Sequence, residues 1–391
     1  MTKIRLGDVA VKIGSGATPK GGAAVYRDHG VALIRSQNVL DNTMAEDGLV
    51  YISDDSAKTL DSVTVENGDI LLNITGESVA RVTMVDSSYL PARVNQHVMI
   101  IRPNKSVDSR YLQCVLVEPR MKSHLHSLAV GATRKALTKN MIREIIIELP
   151  SLDEQRAVAE VLGALDDKIA VNQQIHELTG ELVKNLFCQF AAGRKDVTLD
   201  RMAKMNQVKV MPNEGSFRYI DIASVSEGDY SSPRVMEWND APGRARRGVR
   251  RGDTIWSTVR PNRRSHALVL EDDPCLVCST GLVTLSPLGR GFSFVYEASH
   301  AWRFTEYLLS VAEGSAYPAV TASKFAHAPV PKATESEIAQ FNAQCDPLWE
   351  RAASAKAESR TLASLRDTLL PALMNGTLRV KDAEKQVSEV L

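Results

Sequence analysis

Apolar residues recur at steps of three and four along two long stretches of the chain, which is the spacing of one face of an α-helix. The first apolar seam comprises Val158, Leu162, Leu165, Ile169, Ile175, Leu178, Leu182 and Leu186. The second comprises Ile338, Phe341, Cys345, Leu348, Ala352, Ala355, Leu362, Leu365 and Leu369. Helices of about 40 residues are roughly 60 Å long and expose a seam that needs a partner. We therefore expect the two helices to cover each other as an antiparallel pair.

Each predicted helix begins at a capping box. Ser151 stands three residues before Glu154, and Thr334 stands three residues before Glu337. In this motif the hydroxyl accepts a backbone N–H of the first turn, and the glutamate accepts the N–H of the cap residue. Asn172 interrupts the first seam, at a position where a polar residue commonly fixes the register of paired helices.

The stretches before the helices, at about 1–150 and 196–333, alternate short apolar runs with Gly, Pro, Asn and Asp turns. The predicted strands are 70–74, 98–101, 145–149, 254–259 and 281–285. The segments 111–128 and 301–312 are predicted to be helical.

These two stretches repeat one pattern. GDILLNITG at 68–76 matches GDTIWSTVR at 252–260, and NQHVMIIRP at 95–103 matches STGLVTLSP at 279–287, both at an offset of 184. LIRSQNV at 33–39 matches YIDIASV at 219–225, and GATRKALT at 131–138 matches GSAYPAVT at 314–321, at offsets of 186 and 183. The order and near-constant offset indicate a duplicated unit whose two copies share a fold and differ in what they touch.

The sequence therefore predicts an α+β fold, with two similar domains separated by two long antiparallel, coiled-coil-like helices and related by a pseudo-twofold internal repeat. The predicted segments are a first domain at 1–150, a helix at 151–195, a second domain at 196–333, a helix at 334–377 and a tail at 378–391.

Composition excludes several classes of protein. Forty-seven basic residues balance forty-seven acidic ones, which excludes binding to polyanions through net charge alone. No apolar run approaches the roughly 18 residues of a membrane span, and the first ten residues carry Lys3, Arg5 and Asp8 instead of a signal-peptide core. Five scattered cysteines do not suggest a disulfide framework. We expect a cytoplasmic protein without a membrane segment.

Local charge and polarity suggest where nucleic acid could bind. The segment 243–264 holds eight arginines against Asp253 alone, a pattern suited to binding phosphates. An arginine-rich loop that is simply exposed to solvent would show the same pattern. The first domain offers a polar set, whose members can also be ordinary turn or surface residues: Arg35, Ser36, Gln37, Asn38, Asn73, Arg81, Arg93, Asn95, Gln96 and His97. Arg134 and Lys135 end a glycine-containing loop.

Motifs of catalysis and metal binding are missing or incomplete. The segment GSGATPKGG at 14–22 lacks the spacing of a phosphate-binding loop. Cys275 and Cys278 form half a zinc site without a second pair, and His124 and His126 on a predicted helix fit a core or surface role. We therefore predict no catalytic residue and no metal site.

Together these patterns resemble the DNA-specificity subunits of type I restriction-modification systems. The resemblance covers nearly the whole chain and is weaker in the second domain. Its carriers are LGDV with GSGATPKGG, LIRSQNV, GDILLNITG, NQHVMIIRP, LPSLDEQRAVAEVLGALDDKIAVNQQI at 149–175 and SLRDTLLPALMNGTL at 364–378.

The resemblance implies a non-catalytic subunit with two target-recognition domains, each reading one part of a bipartite, asymmetric site on double-stranded DNA. It implies that the helix pair sets the unread spacer and docks modification subunits, expected to number two, which methylate adenine. Restriction subunits would join the larger complex. This chain is expected to hold no cofactor, because S-adenosylmethionine, ATP and magnesium would bind the partner subunits.

We expect specific residues to contact DNA and partners. The DNA contacts are Arg35, Gln37, Asn95, Arg134 and Lys135 in the first domain and Arg260, Asn262, Arg263, Arg264 and Lys324 in the second. The partner contacts, placed on exposed helix faces, are Gln155, Arg156, Asp166, Lys168, Asn172, Gln173, Arg366 and Asp367. These helix positions could also be solvated flanks of the seams.

Two other classes of function stay open. A stand-alone sequence-specific DNA-binding regulator, dimerised through its long helices, would bind one site tightly without a partner. An enzyme with an unrecognised active site is the third possibility. A specificity subunit, in contrast, should bind DNA poorly until modification subunits join it.

Overall fold

The computed structural model describes residues 2–129 and 136–391, and they form two compact units. Unit 1 comprises residues 1–171 and 358–391, and unit 2 comprises residues 172–357. The division falls inside both predicted long helices. The five predicted segments therefore stay a prediction, although each predicted recognition domain lies within one unit.

Unit 1 contains two four-stranded sheets and one two-stranded sheet. Its strands are β1 (Thr2–Arg5), β2 (Ala10–Ser15), β3 (Val31–Ile34), β4 (Val50–Ile52), β5 (Thr64–Val65), β6 (Ile70–Asn73), β7 (Val82–Met84), β8 (Ala92–Val94), β9 (Val98–Pro103) and β10 (Ile146–Leu149). The sheet orders are β2-β9-β6-β7, β4-β3-β8-β5 and β1-β10. Only β3 and β8 pair in parallel among these described strands.

Short helices complete unit 1: α1 (Leu6–Val9), α2 (Asp54–Lys58), α3 (Ser109–Val117), α4 (Pro119–Leu128) and α5 (Lys139–Arg143). The predicted helix at 111–128 is thus two helices, because Pro119 starts a new one and the Glu118 side chain caps it by accepting the Met121 N–H at 3.0 Å.

Unit 2 repeats this arrangement. Its strands are β11 (Asp196–Thr198), β12 (Ala203–Met205), β13 (Ser216–Ile220), β14 (Arg234–Glu237), β15 (Ala245–Gly248), β16 (Thr254–Ser257), β17 (His266–Leu268), β18 (Leu276–Ser279), β19 (Leu282–Pro287) and β20 (Pro329–Pro331). The sheet orders are β12-β19-β16-β17, β14-β13-β18-β15 and β11-β20, with β13 and β18 parallel. Its short helices are α7 (Ser293–His300), α8 (Trp302–Val311) and α9 (Ala322–Ala326). The predicted internal repeat is confirmed strand by strand.

Short 3-10 helices join these elements at Gly22–Val25, Ser36–Asn38, Asp61–Val63, Ser87–Tyr89, Leu199–Arg201, Trp238–Asp240 and Pro261–Arg263.

The central strands are buried on both faces. Alternate residues of a strand point to opposite sides of the sheet, so Ile70 and Leu72 of β6 join the cluster shared with the helices, whereas Leu71 joins the cluster of the second sheet. In unit 2, Trp256 and Ile255 of β16 divide in the same way. The central sheet of each unit is therefore the middle layer between helices and a second sheet.

Two helices of 40 residues each, α6 (Leu152–Ala191) and α10 (Glu335–Met374), extend through both units. Both predicted capping boxes are present: Ser151 N–H donates to Glu154 at 3.1 Å, and Thr334 N–H donates to Glu337 at 2.8 Å. Within unit 2, Phe187 faces Phe341 and His176 faces Trp349, so the helices run antiparallel there as predicted.

The predicted seam of α6 is correct in its first half and wrong in its second. Leu178 is 63% exposed and Leu182 is also exposed, whereas Thr179, Val183 and Phe187 are buried. The buried face lies one residue later because the large ring of Phe187 packs edge-on against Phe294 and Phe341. An additional helix, α11 (Val380–Ser388), occupies the predicted tail and buries Ala383 and Val387 in unit 1.

None of the helices within 2–129 and 136–391 is long and apolar enough to cross a membrane.

Candidate nucleic-acid interface

One border of unit 1 brings together three predicted DNA contacts. The parallel strands β3 and β8 end side by side, with Arg35 and Gln37 following β3 and Asn95 following β8. The Asn95 N–H donates to the carbonyl of Ile34 at 3.0 Å and so joins the two strand ends. We call this border the unit 1 edge. It also includes Thr75, Gln96 and His97.

Arg35 and Gln37 are held by one carbonyl. The Arg35 guanidinium donates to the carbonyl of Gly48 and lies 5.5 Å from the centre of the Tyr26 ring, while the Gln37 amide donates to the same oxygen at 3.4 Å. Gly48 has φ of +67°, and a Cβ there would collide with the Gln37 amide. Gly48 therefore lies close enough to both side chains to hold them at this border and to restrict their movement.

Beneath them, Asn38 is fully buried. Its side-chain oxygen accepts the Arg35 N–H at 3.1 Å, and its amide nitrogen donates to the Ala45 carbonyl at 3.0 Å. This residue fixes the loop.

Asn95, a predicted DNA contact, is largely buried. Its side chain is buried, and its oxygen accepts the His97 N–H at 3.1 Å to close a turn. Gln96 is exposed in its place, and the His97 ring contacts the Thr75 hydroxyl at 2.7 Å. Arg134 and Lys135 lie outside the described residues; Ala136, which follows them, pairs with Thr75.

The corresponding border of unit 2 collects part of the arginine-rich segment. Thr258 N–H donates to the carbonyl of Gly281 at 2.9 Å, and Thr280 N–H donates to the carbonyl of Arg244 at 2.8 Å. These bonds place Arg244 and the loop 258–264 beside the end of β18. We call this border the unit 2 edge.

Two predicted contacts on the unit 2 edge are free to bind. Asn262 and Arg263 are exposed, and their side chains make no hydrogen bond or ion pair with the part of the chain that the structure describes. Arg260 adopts φ of +54°, donates its N–H to Pro318 at 2.7 Å and holds its guanidinium 4.5 Å from the centre of the Tyr317 ring. Arg244, which sequence reasoning left out of its chosen contacts, is exposed as well.

Arg264 and Lys324 are engaged inside the protein. Arg264 donates to Glu227 at 2.7 Å and to the carbonyl of His300 at 2.8 Å, and the Lys324 ammonium lies 2.6 Å from Glu313. The ion pairs reduce the charge that these residues offer to a phosphate. Their observed role is to hold the loops of unit 2.

Other arginines of the segment 243–264 also bind groups of the protein itself. Arg247 is half-buried against the carbonyl of Leu282, and burial lowers its pKa from the ordinary value. Arg251 pairs with Glu350 at 2.6 Å. The eight positive charges counted in the sequence therefore overstate the positive surface.

Two predicted partner contacts on α6 are not exposed, which corrects those assignments. Gln155 is 1% exposed, accepts the Asp108 N–H at 2.9 Å and donates to the carbonyl of Pro150 at 3.1 Å. Its amide thus satisfies backbone groups at the start of the helix, a structural need that seam spacing does not reveal. Asn172 is equally buried, within the helix seam.

Four further predicted contacts lie where α6 meets α10 in unit 1. Arg366 pairs with Asp166 at 2.7 Å and with Asp367 at 2.8 Å, and Lys168 lies 3.5 Å from Glu358. Burial raises the pKa of Asp166, although the Arg366 guanidinium opposes that shift. Asp367 remains exposed.

Arg156 and Gln173 are exposed on α6, as predicted. Their contacts are local, with Arg156 3.9 Å from Asp153 and Gln173 donating to Glu177 at 3.0 Å.

Within the described ranges, no group of three or more His, Cys, Asp or Glu residues could hold a metal ion. Cys275 is exposed and Cys278 is buried in β18, and all five cysteines are free thiols. His124 and His126 are exposed on α4.

Comparison with known proteins finds similarity to type I restriction-modification specificity subunits. Residues 1–179 match the sequence profile of the Type I restriction modification DNA specificity domain. The MjaIX type I restriction enzyme specificity subunit of Methanocaldococcus jannaschii is 23% identical over 75% of this chain and 74% of its own length. The MjaX specificity subunit of that organism is 21% identical, over 90% and 88%. A crystal structure of the S subunit from M. genitalium covers 95% of both chains at a TM-score of 0.61 and 16% identity, a likeness of fold.

Proposed function

We propose that this chain, a relative of the type I restriction-modification specificity subunits, reads one bipartite and asymmetric site on double-stranded DNA. The unit 1 edge would read one half of the site and the unit 2 edge the other half. The chain would direct adenine methylation and restriction that its partner subunits carry out. It would itself be non-catalytic and act in the cytoplasm.

The observation that carries this proposal is a repeated framework with different side chains at its borders. Strands β3 and β13 end at equivalent positions, yet Arg35 and Gln37 after the first correspond to Asp221 and Ala223 after the second. After β8 and β18, Gln96 and His97 correspond to Thr280 and Gly281. Equal frameworks with unlike donors and acceptors would recognise unlike base sequences, and hence an asymmetric site.

The distribution of charge supports shared DNA binding. The net formal charge is zero, and Arg264, Arg251 and Lys324 are paired with carboxylates of the protein itself. Since phosphate contacts supply much of the affinity for DNA, modification subunits would have to contribute some of them. We propose that two modification subunits do so and that they bind S-adenosylmethionine. Restriction subunits would bind ATP and magnesium.

The helices would provide both the spacer and the docking surface. Both α6 and α10 extend through the two units, and the Arg366–Asp166 pair ties one helix to the other in unit 1. The exposed residues Arg156, Gln173 and Asp367 are the predicted partner contacts that stay accessible for docking.

Methylome sequencing tests the proposal directly. Cells that carry this gene together with its neighbouring modification gene would be compared with cells from which this gene alone is deleted. We expect methyladenine to disappear from one gapped, bipartite motif. A variant that lacks two exposed side chains of the unit 2 edge, Asn262→Ala with Arg263→Ala, should relax or lose only one half of that motif.

The deletion must leave the modification gene expressed, which immunoblotting would verify. An unchanged methylome under that condition would refute the specificity role and favour a stand-alone DNA-binding regulator.

A further inference from the structure

The loop 258–264 of the unit 2 edge repeats an uncommon backbone conformation of unit 1. Arg260 and Arg264 have φ of +54° and +52°, and their equivalents 184 residues earlier, Gly76 and Ala80, have φ of +75° and +68°. This left-handed conformation costs least at glycine. Unit 2 nevertheless carries an arginine where unit 1 carries Gly76. A long side chain at a strained backbone position indicates that the side chain has a use.

The two arginines of this loop differ in what their side chains contact. Arg264 donates to Glu227 and to the carbonyl of His300, so contacts inside the protein account for its side chain. The Arg260 guanidinium makes no hydrogen bond or ion pair with any residue in 2–129 or 136–391, and Arg260 is partly exposed. Its N–H donors are therefore available to a bound molecule.

A tyrosine ring fixes the direction of this guanidinium. Tyr317 is 68% exposed, and the centre of its ring lies 4.5 Å from the Arg260 guanidinium carbon. The backbone holds the two residues together, because the Arg260 N–H donates to the carbonyl of Pro318 at 2.7 Å. Glu313 and Ala319 exchange two backbone hydrogen bonds of 2.9 and 2.8 Å, which close the loop that carries Tyr317. An arginine ordered in this way loses less conformational entropy when it binds.

The arginine and the tyrosine together are suited to the edge of a base. A guanidinium can donate two parallel hydrogen bonds to O6 and N7 of guanine in the major groove, or to two phosphate oxygens. The exposed ring of Tyr317 distinguishes these partners, since an aromatic ring beside a base covers apolar surface, whereas beside a phosphate it gains little. Asn262 and Arg263, exposed in the same loop, are also residue types that contact bases.

We propose that Arg260 donates two hydrogen bonds to O6 and N7 of a guanine in the half-site that the unit 2 edge reads. Tyr317 is a positioning residue that holds the guanidinium for this contact. The inference rests on the proposed function and deepens it by naming a base. Because the equivalent Gly76 has no side chain, the unit 1 edge reads its half-site without this contact.

Modified DNA tests the contact in the assembled methyltransferase. The half-site of unit 2 is the one that the Asn262→Ala with Arg263→Ala variant relaxes. Each guanine of that half-site would be replaced in turn by 7-deazaguanine, which has a C–H in place of the N7 acceptor. One replacement should weaken binding by the native complex about tenfold, the effect of one lost hydrogen bond to a charged group. The Arg260→Gly complex should be insensitive to that replacement.

Arg260→Gly also separates recognition from folding. The variant installs the residue that unit 1 has at this position and relieves the left-handed backbone strain. Its melting temperature should therefore equal or exceed that of the native chain. Discrimination of the one guanine from other bases should nevertheless fall by about 10- to 100-fold.

Two further substitutions separate a base contact from a phosphate contact and from a structural role. Arg260→Lys keeps the charge but loses the planar pair of donors, so it should lose the same discrimination. Tyr317→Ala should lose about threefold of the discrimination, and Tyr317→Phe, which keeps the ring, should restore it. Val235→Ala removes a side chain of similar exposure from strand β14 and should change nothing.

The outcomes that overturn the proposal are distinct. A methylome that does not depend on this chain would refute the proposed function and this contact together. A methylome that does depend on it, with no G·C pair in the unit 2 half-site, would refute the contact alone. Native discrimination by Arg260→Lys, or equal weakening of Arg260→Gly on all sequences, would assign Arg260 to a phosphate and also refute the contact alone.

Discussion

The two units each bury an aspartate at an equivalent position, but the side chains around the two aspartates differ. Asp69 in unit 1 and Asp253 in unit 2 occupy equivalent buried positions, and each accepts the backbone N–H three residues earlier, at 2.7 and 2.9 Å. Asp69 is paired with Arg102 at 2.7 Å, but the position equivalent to Arg102 in unit 2 is Ser286. Without an arginine there, burial raises the pKa of Asp253.

This difference shows which interactions define the repeated framework. The local backbone bond to the aspartate and the strand pairing recur, while the long-range partner of the aspartate does not. The same holds at the edges, where unlike side chains follow equivalent strand ends. Divergence has therefore affected side chains whose partners lie far along the chain.

The largest expected effect comes from making unit 1 resemble unit 2. Arg102→Ser leaves Asp69 fully buried without its ion pair, so the free energy of unfolding should fall by about 3 to 5 kcal/mol. Urea denaturation of the full chain would measure it. The matched control is Lys3→Ser, which breaks the exposed Lys3–Glu148 pair and should cost under about 1 kcal/mol. Similar losses in both variants would contradict the distinction between buried and exposed pairs.

The second prediction separates the two edges by their DNA specificity. Arg263→Ala should weaken DNA binding by the assembled methyltransferase by about 1 to 3 kcal/mol and relax one half-site, and Gln37→Ala should relax the other. Binding assays at several salt concentrations, with methylome sequencing, would measure both effects.

Arg264→Ala is the control for this pair. Since Arg264 is held by Glu227 and His300, its loss should lower the melting temperature of the protein, which Arg263→Ala should leave unchanged. If Arg263→Ala and Gln37→Ala relaxed the same half-site, the proposal that each edge reads a different half-site would be disproved.

A third prediction concerns the pH dependence of the stability of unit 2. Burial lowers the pKa of His266 to about 4 and of His300 to about 3, so in the native state neither takes up a proton as the pH falls below 6.5. The unfolded chain takes up both protons there, which costs stability. Glu297, with a pKa of about 8, acts in the opposite sense, because the native state already holds its proton.

Because both histidines of the unfolded chain titrate near pH 6.5, their protonation costs about 2 kcal/mol between pH 6.5 and 5.5, and Glu297 offsets about 1.4 kcal/mol of that loss. Burial also lowers the pKa of His176, which adds to the loss. Thermal melts between pH 6.5 and 5.5 would measure it. Glu297→Gln removes the opposing contribution and should increase the loss over this range by about 1.4 kcal/mol. A stability that does not change over this range in either protein would contradict the assignment of two neutral buried histidines.

The smallest expected effect concerns the features that the two halves share. Ser151→Ala and Thr334→Ala each remove a hydroxyl cap at the start of a long helix and should cost about 1 kcal/mol apiece. Urea denaturation of each variant and of the double variant should show nearly equal, additive losses. A loss confined to one variant would show that only one of the caps stabilises its helix.

Much of the fold was predictable because its signals are local. Capping boxes join residues three apart, and helix seams and strand alternation follow from short periods. Where the predicted seam of α6 failed, at Leu178 and Leu182, an aromatic cluster with Phe294 and Phe341 determined which face was buried.

The candidate site was less predictable, since side-chain direction depends on distant partners. Arg263 and Arg264 are neighbours of the same type, yet only Arg264 meets Glu227 and the carbonyl of His300, at separations of 37 and 36 residues. Gln155 looked like a helix-surface residue, yet it satisfies the backbone N–H of Asp108, 47 residues earlier.

The sequence by itself determined the internal repeat, the two long helices with their starts and the resemblance to type I specificity subunits, because these rest on order, spacing and short-range hydrogen bonds. Only the tertiary structure decided which polar residues form the two edges, which arginines are neutralised inside the protein and that Glu297 is buried in unit 2. Those features arise where residues far apart in the chain meet, and their burial and pairing set the charge and the direction of each side chain.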